Sequence, residues 1–291
     1  MCALGAGNRL VGRSHECDNP VWVLDLPSCS EPAFDISVSS HEIDAEVTRR
    51  IRSGEPLYRI HAELIRALAP DLIISQAHCE VCAVTPEDVK RSGCDTPAAQ
   101  VLALTAGSLD GIFEGILQIA KALDLESEGC TLVRREQERL QTVRKRTAGL
   151  RRPSVVMLEW TDPIFPMGNW GPELVEIANG DLLLGNKGQH SSAVAAEQVR
   201  AADPEYLIVA PCGFSLKRAM QDQLVLEGYP WWNELQAVQA GHVAFADGNL
   251  FFNRSGTTVA QTAEIIAEIL HGVKFGPATE GAHWQWLKPR V

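Results

Sequence analysis

The sequence lacks any apolar run long enough to cross a bilayer. Its start, residues 1–12, also lacks the basic segment followed by an apolar core that marks an export signal. As written, these absences predict a cytosolic protein. Cysteine is sparse. The eight cysteines (Cys2, Cys17, Cys29, Cys79, Cys82, Cys94, Cys130 and Cys212) in 291 residues are too dilute for a disulfide scaffold, and mostly reduced thiols are expected. Positive charge is short as well. A net charge of −11 argues against nucleic acid as a partner, because phosphate binding needs a basic surface. The one basic cluster, between Arg134 and Arg152, is interleaved with Glu136 and Glu138 and reads as a solvated helix face. No nucleophile elbow (GxSxG), phosphate loop (GxxxxGK[ST]) or zinc-protease helix (HExxH) occurs, so neither turnover nor a catalytic cofactor is expected.

What is present is the composition of a globular protein, 45% hydrophobic and 22% charged, at a length that suits two domains. The chain is organised around DLIISQAHCEVC (71–82), which reads as a buried strand, 72–75, opening into a loop with Gln76, His78, Cys79 and Cys82. Upstream, residues 1–9 look like the end of a helix closed by glycine, and 10–14 like a strand or extended segment. Residues 21–40 carry few periodic signals and are expected to wrap the surface. A helix is predicted over 41–53, capped by Ser39 or Ser40, striped by Ile43, Val47 and Ile51 and ended by Gly54. The spacing of Ile60, Leu64, Ile65 and Leu68 predicts a helix over 58–68, and Thr85-Pro86 starts another. A strand is expected at 100–104 and an amphipathic helix at 108–123. Residues 126–149 form a long charged helix of about 35 Å whose apolar stripe is only Leu132, Val133, Leu140 and Val143. Strand 154–160, a loop to Gly171 and short helix 172–178 open the second half. Segments at 182–184, 193–201, 206–210, 243–246 and 257–270 continue the alternation, before an aperiodic tail over 274–291 expected on the surface.

The two halves echo each other. AELIRALAPD (62–71) matches AEQVRAADPE (196–205) without a gap, each a helix, a Pro-acid turn and a buried strand. QVLAL (100–104) echoes HVAFA (242–246), and GNRLVG (7–12) echoes GDLLLG (180–185). The ordered series predicts an α/β protein of two like lobes, each a small parallel sheet flanked by helices, with boundaries at 1–125, 126–150 (the bridging helix) and 151–291. By the same comparison the first lobe is expected to lack its opening strand, as though the start were truncated or misassigned.

LVGRSHECDNP (10–20), LAPDLIISQAHCEVCAVTPEDV (68–89), LEWTDPIFPMGNW (158–170), ADPEYLIVAPCGF (202–214) and GHVAFADGNLFFNRSG (241–256) resemble the cobalamin-binding family of ABC-transporter substrate-binding proteins. These are two-lobed receptors of the helical-backbone, class III type, related to siderophore- and metal-binding proteins. The resemblance implies ligand held between two lobes joined by a rigid helix, a periplasmic or extracytoplasmic setting and delivery to an ABC permease. It implies cobalamin or a related corrinoid, or another metal-chelate small molecule, as the bound ligand of a monomer.

The residues expected to line that cleft follow strand ends or lie in the matching loops. They are His15, Glu16, Cys17, Gln76, His78, Cys79, Cys82, Glu159, Trp160, Trp170, Cys212, Gly213, Phe214, Asn249, Phe251 and Phe252. The aromatics would wall a large flat ligand or, alternatively, fill a lobe core. Glu159 reads as a hydrogen-bond acceptor for ligand, and His15 as an axial ligand to cobalt or a hydrogen-bonding residue. The rival reading is a cytosolic metal or thiol-redox protein using Cys79 and Cys82 with Cys17 and the nearby histidines. No second CxxC supports it.

Overall fold

The computed structural model describes residues 1–77, 84–93 and 99–287. The chain divides into two compact units: Met1–Ala106 with Asp110–Val133, and Gly107–Leu109 with Arg134–Val291.

In the first unit, Leu72–Gln76 pairs in parallel with Gln100–Leu104, with Ile73 opposite Val101. Helix Ala62–Leu68 leads into the first of these strands, and helix Leu109–Ala122 follows the second. Ile112, Ile116 and Ala120 bury one side of the latter helix, and Leu123 is buried just past its end. Local signals set several boundaries. Ser39 caps helix Ser40–Ser53, its hydroxyl accepting from the Glu42 N–H while the Glu42 carboxylate accepts from the Ser39 N–H. Gly54 closes the helix at φ 70°. Thr85 and Asp88 repeat the reciprocal cap at helix Pro86–Arg91.

Three expectations need correction, over residues 1–9, at Ile51 and over 58–60. Residues 58–60 are not helical: Tyr58–Ile60 is a strand, antiparallel to Ser30–Pro32, and this pairing overrides the helical spacing. Ile51 is 55% exposed, because it lies about 80° round the helix from buried Ile43. Residues 1–9 form two short 3-10 turns, Cys2–Leu4 and Gly7–Arg9, the first closed by Gly5 at φ 78°. Residues 10–14, expected as a strand or extended segment, begin extended at Leu10 and make one bridge, Arg13 to Ser28, without joining a sheet.

The second unit is built on one sheet in the order Trp284–Trp286, Val243–Ala246, Tyr206–Val209, Ser154–Thr161, Ile164–Pro166, with Asp181–Leu182 also paired to Ser154–Thr161. The three central strands are parallel. They are apolar along almost their whole length, as strands covered on both faces must be. Helices Gly171–Ile177 and Val259–His271 pack together beside them. Two strands were not legible: Ile164–Pro166, which folds back on Ser154–Thr161, and Trp284–Trp286, which adds antiparallel to Val243–Ala246 and buries Trp284.

The repeat extends to backbone conformation. Ala69 (φ 45°) and Asp203 (φ 38°) end the helices before the two matched strands, both left-handed and neither glycine. The long helix, Glu126–Thr147, buries Leu132, Val133, Leu140 and Val143, and the division between the units falls inside it. Its basic residues are partly engaged. Arg139 donates to Glu264 and to the fully buried Glu136, and Arg146 donates to the Lys274 carbonyl at 2.7 Å.

Candidate functional site

In an open parallel sheet, ligands meet the loops beyond the carboxyl ends of the strands. In the second unit, strand Ser154–Thr161 delivers Glu159 and Trp160 to that end, and strand Tyr206–Val209 delivers Cys212, Gly213 and Phe214. The two are tied by main chain: the Ala210 N–H donates to the Leu158 carbonyl and the Cys212 N–H to the Glu159 carbonyl, both at 2.9 Å. Trp160 is half-buried. Its indole N–H donates to the Asp162 carbonyl at 3.2 Å, and its ring tilts against Phe214 with centroids 5.1 Å apart.

Phe214 itself is buried between Trp160 and a guanidinium: Arg218 lies 4.0 Å above its ring. Arg218 also donates to Asp222 at 2.9 Å, and Asp222, almost fully buried, accepts the Thr161 hydroxyl. Arg218 and Asp222 were missed by sequence reasoning. Their signal was available, four residues apart just beyond PCGF, after the Ser215 cap.

Glu159 turns its carboxylate inward, onto the chain segment 186–194. The Ser191 hydroxyl and the Gly168 N–H are its polar neighbours there, and the Gly168 N–H donates to the Ser191 hydroxyl at 2.9 Å. Burial pushes this carboxyl above its ordinary value, and Ser191, His190 and the Gly168 N–H pull the other way.

The remaining predicted aromatics of this unit are packed inside. Phe251 and Phe252 are 2% and 0% exposed, Trp170 is buried, and Phe251 meets His283 edge-on at 4.6 Å. In this structure their surfaces are occupied by protein. Asn249 donates its N–H to the Phe214 carbonyl and is gripped by Arg254 through its carbonyl and its Oδ1, both at 2.9 Å.

In the first unit, the His15 ring tilts against Tyr58 with centroids 5.0 Å apart. Its Nδ1 sits 2.8 Å from the buried Ser30 hydroxyl. Its Nε2 is buried, has no hydrogen-bond partner among the described residues and lies 3.4 Å from Glu16 Oε1. Ser30 thus occupies the Nδ1 edge of the ring, and the Glu16 carboxylate lies beside the Nε2 edge. Cys17 is an exposed free thiol that receives the Ser14 hydroxyl at 3.4 Å, and Gln76 ends its strand half-buried. His78, Cys79 and Cys82 lie outside the described residues. Among the described residues no group of three or more His, Cys, Asp or Glu is arranged to hold a metal ion.

In the α/β class, strand-end loops over parallel sheets are where ligands are held. The chain belongs to the periplasmic binding protein family, whose model matches residues 3–250. Members of that family are substrate-binding proteins rather than enzymes, and the fold is that of their class III type.

No curated protein matches in sequence. Among solved structures, a periplasmic heme-binding protein from Pseudomonas aeruginosa is 17% identical with a TM-score of 0.74, covering 100% of this chain and 94% of that one. The heme complex of IsdE from S. aureus gives 14% and 0.70, with 93% of each chain covered. The periplasmic vitamin B12-binding protein BtuF of Vibrio cholerae gives 19% and 0.63, covering 92% and 90%. At these identities the likeness is one of fold. Among the described residues no helix is long and apolar enough to cross a membrane. The expectation of a cytosolic setting gains no support from a family named for the periplasm.

Proposed function

We propose that this chain is the substrate-binding component of an ABC transporter and takes a metal-bearing tetrapyrrole, with cobalamin or a related corrinoid as the first candidate. The observation that carries the reading is the strand-end shelf of the second unit, where Trp160 stays half-buried beside the Cys212–Gly213 turn. A flat apolar ligand needs such an aromatic edge flanked by polar groups that set its orientation. Membership of the periplasmic binding protein family supports the transport role, and the heme- and vitamin B12-binding structural neighbours support the ligand class. In this reading the loop at Gln76–Cys82 supplies the ligand contacts of the first unit, an ABC permease receives the cargo and the setting is extracytoplasmic. Parallel titrations with cyanocobalamin and hemin test it. Binding of cyanocobalamin in the micromolar range or tighter is expected, and Trp160→Ala should weaken it about tenfold, a loss of about 1.4 kcal/mol. Hemin binding without cyanocobalamin binding would move the assignment to heme. Failure of both below about 100 μM would defeat it.

A further inference from the structure

Residues 186–190, 192 and 193 are exposed, yet this strap is pinned at several points. At its far end the Val194 N–H donates to the Ile164 carbonyl at 2.9 Å. In the middle it exchanges main-chain bonds with the loop after Ile164–Pro166. The Asn169 N–H donates to the Gln189 carbonyl at 2.7 Å, and the Gly188 N–H to the Asn169 carbonyl at 2.9 Å. Beside them the Gly168 N–H donates to the Ser191 hydroxyl at 2.9 Å. Approach here is so close that a Cβ on Gly168 would sit 2.4 Å from the Gln189 carbonyl oxygen. At the near end Lys187 pairs at 3.0 Å with Glu173, whose other oxygen accepts the Leu109 N–H at 2.9 Å.

Glu159 is where this strap meets the shelf. Its carboxylate takes the Ser191 hydroxyl, and its main-chain carbonyl takes the Cys212 N–H. One residue therefore fixes the strap through its side chain and the Cys212 loop through its backbone. A ligand-contacting carboxylate would face outward, whereas this one is spent on the protein.

We propose that Glu159 is a positioning residue, the latch that holds strap 186–194 as a movable rim of the ligand site, with Gln189 and His190 as its polar tips. As a rim, it rests on the ligand-binding reading above; as a latch, it does not. Release of Ser191 would remove the side-chain tie of the strap and leave it on its main-chain bonds to Asn169 and Ile164 and on the Lys187 pair. Opening would then be local, without loss of the sheet.

Hydrogen exchange on the full chain tests the latch without ligand. Glu159→Ala and Ser191→Ala should speed exchange of the amides at 168 and 186–192 about tenfold or more, while strand 154–158 keeps its protection. Glu159→Gln retains an acceptor for the Ser191 hydroxyl and should stay near the wild type, which a purely packing role for the alanine change would not require. Unchanged strap exchange in Glu159→Ala, or equal loosening of strap and strand, would overturn the latch. The rim is read from the dissociation rate of cyanocobalamin or hemin, whichever the wild type binds. It should rise about tenfold in Glu159→Ala and little in Glu159→Gln. Faster strap exchange with an unaltered dissociation rate would remove the rim. If the wild type binds neither probe, the functional reading and the rim fall together, while the exchange data still decide the latch.

Discussion

Glu159 stands in the unusual position of a carboxyl that the fold protonates more readily than water does. Burial raises it above its ordinary value of 4.5, and its hydrogen bonds offset this only in part. A carboxyl raised in the folded state binds protons there that the unfolded chain has already lost. Its contribution to stability is therefore greatest below the ordinary value and declines as pH rises through the folded one. Most perturbed carboxylates of the chain run the other way. Glu46 and Glu55 are held at about 2 by Arg49, and Glu205 is lowered by the Ser154 N–H and Arg151. Comparison with Glu159→Gln isolates the one group. The stability of the wild type minus that of the variant, from urea unfolding at successive pH, should fall as pH rises from about 4.5 and then level off. A difference that is flat with pH, or rises, would refute the assignment.

At the scale of elements, the long helix shows how little apolar surface fixes a strut. Leu132, Val133, Leu140 and Val143 are its only large buried aliphatics, and its outward positions are mostly charged or polar. Leu140→Ala should cost about 2–5 kcal/mol in urea unfolding, and exposed Arg144→Ala less than about 0.5 kcal/mol. This helix was legible in the sequence, as were the caps at Ser39 and Thr85, because helix signals lie within a few residues of what they specify. The strands Ser30–Pro32, Ile164–Pro166 and Trp284–Trp286 were not. Each has three residues and exists because a partner strand lies beside it, information the local chain does not carry. The site divides the same way. Glu159 could be seen as a carboxylate at a strand end, but its partner Ser191 lies thirty-two residues on, in a segment with no period of its own. Phe251 and Phe252 looked like wall residues because aromatic identity alone does not say which side of a loop faces the core.

At the scale of the molecule, the matched helix ends let one half act as a control for the other. Ala69 adopts a left-handed conformation that costs a side-chain-bearing residue about 1 kcal/mol. Asp203 adopts the same conformation, but its carboxylate accepts the Gln236 N–H at 2.7 Å. Ala69→Gly should stabilise the protein by about 0.5–1 kcal/mol, and Asp203→Gly should give no gain because it removes that bond. Thermal and urea unfolding of the two variants would check the contrast, and an equal gain in both would contradict it.

The boundary inside helix Glu126–Thr147 has a practical corollary for dissecting the protein. The halves are distinguishable by what each packs against, yet the chain offers no seam at which to part them. A cut after Val133 would strand four carbonyls on one fragment and four amides on the other, and would split the buried stripe between them. Each excised half would carry a frayed helical stub.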